Sequence, residues 1–235
     1  MGDILRKGLT IFSFFIIIII VFSQLLLPTL AEKTAQTHLM TRTKAESASV
    51  SLHTTPFVLL LLGQVDTVDM KAENAMLGQV RVQELELRGE NMRVDLSALD
   101  STDGSAVKRA DKLELRGVVS ADALRELLQK KVERLQNVEV TIEPETIRVT
   151  AQAKIAGRMA DINLEGRVLG ENGGIYFRMT KLDIKNAILG KAVIGNFFGD
   201  ILLVNLNQLP FRTELDDVVQ KDGQVEITAS RHSKD

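Results

Sequence analysis

Two pairs of carboxylates come closest to a spacing that could support acid–base chemistry, Asp66 with Asp69 and Asp216 with Asp217. Carboxylates placed in this way on exposed strand faces are more often solvated than catalytic. The three histidines are scattered along the chain, and no nucleophile elbow, zinc-binding helix motif, phosphate-binding loop or dinucleotide-binding glycine pattern is present. We therefore predict no enzymatic activity, no catalytic residue, no metal site and no cofactor.

The composition also limits the class of partner. The chain of 235 residues has 29 basic and 31 acidic side chains, which gives a formal net charge of −2. Nucleic-acid-binding domains usually present a strongly basic face, so we expect no nucleic-acid partner. Cysteine is absent, which excludes disulfides and anchoring through a lipidated cysteine. With no Trp and one Tyr, the interior must be built mainly from aliphatic side chains.

Residues 1–30 predict a cytoplasmic tip followed by a membrane anchor or a signal peptide. Arg6 and Lys7 precede 19 uncharged residues, Leu9 to Leu27. As a helix this stretch would span roughly 28 Å, close to the thickness of the hydrocarbon core. Basic residues before the span predict a single-pass protein of the cell membrane, with a cytoplasmic N-terminus and an extracytoplasmic C-terminal domain. The alternative is cleavage after Ala31, which would release a secreted protein.

The rest of the chain divides into a polar stretch, residues 31–48, and a domain that covers residues 49–235. The stretch 31–48 is interpreted as a weakly amphipathic stalk helix or, equally well, as a solvated tether. From residue 49 the pattern is mainly a two-residue alternation of apolar and polar residues, as in strands with one buried face. In the stretch from Val80 to Leu87 this alternation changes phase once, which could mark a bulge.

A single helix interrupts the predicted strands. Residues 120–135 start with Ser120, a good N-cap, and carry a leucine stripe that includes Leu124 and Leu128. A long meander follows, with turns near Pro144 and at Asn172-Gly173. The predicted fold class is α+β, in which a long, curved antiparallel sheet wraps around a helix and leaves an apolar groove, preceded by an N-terminal transmembrane helix.

Two segments are more apolar than a strand with one buried face requires. The first, Phe57 to Leu62, follows a proline and is too short to cross a bilayer. It would either line a groove or form a buried helical turn beneath the sheet. The second, residues 187–210, is apolar on nearly all sides and is interpreted as a helix that is buried or lies against lipid.

The order of features in residues 50–120 resembles the LmeA-like phospholipid-binding family of the bacterial envelope. The resemblance lies in the leucine run that starts at Pro56 and closes at Gly63, in the strand ending at Val68, and in the later stretch KLELRGVVSADALRELL. It implies a fold similar to the tubular lipid-binding proteins and the non-catalytic binding of phospholipid. It does not assign head-group residues.

The sequence thus predicts a membrane-anchored, extracytoplasmic protein that binds phospholipid in an apolar groove, and it leaves open whether the bound lipid is shuttled. The predicted lipid-binding residues are the apolar side chains of three segments: Phe57, Leu60, Leu61, Leu124, Leu128, Ile194, Phe197, Phe198 and Ile201. The alternative is an interaction subunit of an envelope complex, which would dock a protein partner through the same apolar surface. An envelope hydrolase is a third and weaker hypothesis, because no nucleophile–base pair is evident.

Overall fold

A computed structural model describes residues 28–98, 106–132, 135–155, 158–185, 200–209 and 213–232. Within these ranges the chain is helical at residues 28–43 (α1) and at Ala121–Lys131 (α2), and short 3₁₀ helices lie at Phe57–Leu62, Leu96–Ala98 and Leu206–Gln208. The strands in the same ranges are β1 Ser47–His53, β2 Gln64–Leu77, β3 Val80–Val94, β4 Val107–Arg109, β5 Lys112–Ser120, β6 Leu135–Ile142, β7 Ile147–Ile155, β8 Arg158–Glu171, β9 Gly174–Lys185, β10 Ile201–Asn205, β11 Glu214–Lys221 and β12 Gln224–His232.

The strands form two antiparallel sheets instead of the single sheet that the sequence predicts. The first sheet has the order β1-β2-β3-β5-β12-β11, with β4 paired to β3, and the second has the order β10-β9-β8-β7-β6. The predicted predominance of long antiparallel strands with few helices is confirmed, as is the hairpin at Asn172-Gly173, and a second hairpin turns at Asp222-Gly223. Both hairpin glycines take a positive φ, which glycine adopts without a steric penalty.

The change of phase in β3 is real, but it does not alter the strand register. Val82 and Leu85 are both buried, and their partners in β2, Ala75 and Ala72, are buried as well. Between these two pairs, both strands therefore change which of their faces is turned toward the core. Next to Ala75, Asn74 takes φ 51°, a left-handed conformation that asparagine tolerates better than most residues.

Helix α2 lies in the core and packs against β3, β5 and β6. The hydroxyl of Ser120 accepts a hydrogen bond from the backbone N–H of Ala123, so Ser120 is the N-cap that the sequence predicts. The helix ends at Lys131, earlier than the predicted residue 135, because Leu135 already pairs with Ala153 in the second sheet. Its buried side chains belong to one apolar core that both sheets share.

Helix α1 covers the outer edge of β1. The side-chain amide of Gln36 donates to the carbonyl of Ala48 at 2.7 Å, and the backbone N–H of Leu52 donates to Oε1 of Glu32 at 3.0 Å. These bonds use backbone groups that the edge strand would otherwise leave open to water or to another chain. The helix therefore packs along the first sheet.

Residues 201–205 do not belong to a helix, because Ile201–Asn205 is strand β10 and pairs with β9, while most of the predicted helix lies outside the described residues. Within the part of the chain that the structure describes, no helix combines the length and apolar character needed to cross a membrane. The predicted anchor, Leu9 to Leu27, lies outside that part.

Candidate functional site

The apolar run Phe57–Leu62 forms a 3₁₀ helix at one end of the first sheet, which we call the leucine turn. With three residues per turn, side chains three apart point the same way. Phe57 is buried and Leu60 packs partly against the core, whereas Leu61 and Leu62 are 62% and 69% exposed. The buried side chain of Phe57 and the partly buried side chain of Leu60 thus hold the leucine turn against the core, while Leu61 and Leu62 are exposed to solvent.

Gly63 closes the leucine turn and ties it to β3. Its φ is 74°, and its carbonyl accepts a hydrogen bond from the N–H of Val94 at 2.7 Å. A Cβ at this position would lie 1.9 Å from the carbonyl oxygen of Val94, which is impossible without a shift of backbone. The sequence therefore needs glycine here for both conformation and space.

An open cleft of about 340 Å³ lies beside the exposed leucines. Arg93, Asp95 and Lys108 contribute charged groups to its lining. Hydrogen bonds from Ser97 lower the pKa of Asp95, and the nearby ammonium group of Lys108, 3.4 Å away, adds to this effect. Asp95 therefore stays ionised at neutral pH, and the cleft combines exposed apolar surface with two cations and one anion.

A second apolar surface lies on the inner face of the second sheet, along β9. Met179, Leu182 and Ile184 are partly buried and pack against the core. Leu182 pairs with Leu164 and Ile184 pairs with Ile162, and both partners are almost fully buried. The core surface of β8 thus continues into partly exposed side chains on β9. We call Met179, Leu182 and Ile184 the β9 row.

The six predicted lipid-binding residues that the structure describes are not brought together into one site. Leu124 and Leu128 on α2 are 0% and 3% exposed and belong to the core, while Ile201 begins β10 and packs partly against the core. Strand β5 runs from the end of the first sheet near the leucine turn to the N-cap of α2, a distance of roughly 27 Å. The predicted residues Ile194, Phe197 and Phe198 lie outside the described residues.

The carboxylate pairs have separate structural partners. Asp66 accepts a hydrogen bond from the N–H of Thr55, and Asp69 lies 3.6 Å from the guanidinium of Arg88. Asp216 accepts from the hydroxyl of Ser230, and Asp217 caps the adjacent backbone N–H. Among the residues that the structure describes, no group of three or more His, Asp or Glu side chains could hold a metal ion.

Sequence reasoning missed the β9 row and the cations beside the leucine turn. The alternation Met179, Leu182, Ile184 is broken at Thr180, where β8 and β9 shift register between Glu165 and Gly166. That shift keeps all three side chains on one face. Arg93 and Lys108 are far apart in sequence and meet only because β3 pairs with β4, so no local pattern could have indicated their proximity.

The domain is mostly β, with an aliphatic core that both sheets share, partly exposed apolar side chains on β9 and two exposed leucines in the leucine turn. The family model of LmeA-like phospholipid-binding proteins matches residues 23–230. The chain belongs to this family. No match was found among curated proteins or among solved structures.

Proposed function

We propose that this protein is anchored in the cell membrane by residues 1–30 and binds phospholipid with its extracytoplasmic domain, without catalysis. The observation that carries the proposal is membership of a phospholipid-binding family over residues 23–230. The 19 uncharged residues from Leu9 to Leu27 support the anchor. Any shuttling of lipid between membranes would follow from the same binding step.

The β9 row is the surface on which we propose that an acyl chain lies. Met179, Leu182 and Ile184 are the partly exposed continuation of the aliphatic core. Burial against such a surface stabilises an acyl chain by about 0.8 kcal/mol per CH₂ removed from water. The predicted residues Ile194, Phe197 and Phe198 follow β9 in the chain and are proposed to complete the apolar enclosure.

A photo-crosslinking experiment in intact bacterial membranes tests the lipid site. The photoreactive residue p-benzoylphenylalanine is placed at Leu182 on the inner face of β9, and at Asp183, which is exposed on the opposite face of the same strand, as the matched control. The cells are grown with radioactive phosphate and irradiated, and the purified chain is examined for covalently attached phospholipid. We expect labelled lipid on the Leu182 variant and little on the Asp183 variant.

The same experiment distinguishes the protein-partner alternative. If the β9 row docks an envelope protein, the Leu182 variant would give a crosslinked band of higher mass without phospholipid. Equal lipid labelling at both positions would contradict a site on the inner face. The mass of the purified chain tests the anchor separately, because cleavage after Ala31 would remove the first 31 residues.

A further inference from the structure

The leucine turn and the beginning of helix α1 lie at the same end of the first sheet. Glu32, near the start of α1, bonds to the backbone of Leu52 near the end of β1, and Gln36 bonds further back at Ala48. Helix α1 therefore runs antiparallel to β1, and its first described turn points toward the end of β1 that leads into the leucine turn. The apolar stretch Leu9 to Leu27 joins the chain at this end.

This end of the molecule also exposes large apolar side chains. Leu30, Leu61 and Leu62 are 62%, 62% and 69% exposed. The other large hydrophobic side chains that are exposed among the described residues are Met159 and Val219, which are 45% and 38% exposed. The three most exposed ones are thus all at the end where the proposed anchor enters. Exposed leucines gathered in this way indicate an interaction surface.

We propose that the end formed by Leu30 and the leucine turn lies against the phospholipid bilayer, with Leu61 and Leu62 inserted among the head groups and upper acyl chains. The inference rests on the proposed membrane anchor and specifies how the domain sits on the membrane. Moving leucine side chains from water into this region lowers the free energy, and basic side chains nearby interact favourably with lipid phosphates. Arg93 beside the turn is placed to do so.

The charges of the cleft fit this arrangement. Lys108 is paired with Asp95, whereas Arg93 forms no ion pair with any residue that the structure describes. Arg93 is exposed and pairs across the sheet with Gln64, immediately after the leucine turn. Its long apolar stem can lie beside the leucines while its guanidinium reaches a phosphate.

Site-directed fluorescence on the full-length chain in vesicles tests the proposal, and the absence of cysteine allows single labels. The variants are Leu62→Cys and, as the matched control, Asp222→Cys. Asp222 is exposed in the β11–β12 turn, at the opposite end of the first sheet and roughly one β5 length, about 27 Å, away. Each is labelled with an environment-sensitive dye and reconstituted in vesicles of phosphatidylcholine and phosphatidylglycerol that contain lipids with a spin-label quencher.

We expect a blue shift and strong quenching at residue 62, and the emission of free aqueous dye at residue 222. If the chain floats with the vesicles but residue 62 shows neither change, the anchor stands and the proposed contact is overturned. Equal quenching at both positions also overturns it, because the end with the leucine turn would then not be the one facing the bilayer. Failure of the full-length chain to float with vesicles contradicts the anchor and the contact together.

Discussion

Arg116 forms the centre of an ion-pair cluster on the charged outer face of the first sheet. Its replacement should destabilise the domain in a pH-dependent way. It lies on β5 between β3 and β12. Its guanidinium is 2.5 Å from Glu226, 3.3 Å from Glu84 and 3.8 Å from Glu86. The substitution Arg116→Met keeps most of the apolar stem and leaves three carboxylates facing one another without their shared cation.

The expected loss at pH 7 is about 1–2 kcal/mol in the free energy of unfolding. Hydrogen bonds to charged groups contribute about 1.5–3 kcal/mol, and the lower range applies because the side chain of Arg116 is 36% exposed and partly screened by water. For a chain of this size the loss corresponds to a fall of about 2–8 °C in Tm. The matched control is Arg125→Met, which removes a single exposed pair with Asp122 and should cost about 0.5 kcal/mol or less.

The pH dependence follows from the carboxylates that Arg116 contacts. A hydrogen bond from Lys71 lowers the pKa of Glu86, and hydrogen bonds from Arg116 and Lys221 lower the pKa of Glu226. A carboxylate with a depressed folded-state pKa contributes stability above its unfolded pKa, near 4.5, and loses it as the pH falls through the folded value. The difference between wild type and Arg116→Met should therefore be largest near neutral pH and shrink below about pH 4.5.

The assay is thermal unfolding of the full-length chain in one detergent, followed by circular dichroism between pH 3.5 and pH 7. The reasoning would be refuted if Arg116→Met cost no more than Arg125→Met at pH 7. A loss that stayed constant across this pH range would also refute it, because the effect would then come from packing and not from charge.

Two further predictions concern packing and backbone geometry. Leu124→Ala should cost about 2–5 kcal/mol in the free energy of unfolding, because Leu124 is 0% exposed in the core; a loss below about 1 kcal/mol in denaturant unfolding would contradict this position. Gly63→Ala should destabilise clearly more than Gly223→Ala. Both glycines have a positive φ, but only at Gly63 would the new Cβ meet the Val94 carbonyl, and comparable losses in the same assay would show that this clash is relieved.

The sequence by itself predicted much of the local structure. Period-two alternation indicated most of the long strands, Asn172-Gly173 indicated a hairpin, and Ser120 indicated the start of α2. These features depend on residues close to one another in the chain, through side-chain alternation, turn conformation and capping. The predicted family was also confirmed, because the family model of LmeA-like phospholipid-binding proteins matches residues 23–230.

The tertiary structure decided how the strands divide between two sheets and which apolar residues are exposed. Phe57 and Leu61 belong to the same apolar run, yet one is buried and the other exposed, because the run folds as a 3₁₀ turn over one end of the sheet. Leu124, a predicted lipid-binding residue, is 0% exposed on a helix that packs against β3, β5 and β6. Burial away from water is favourable for any hydrophobic side chain. Only long-range packing determines whether protein or another apolar partner covers that side chain.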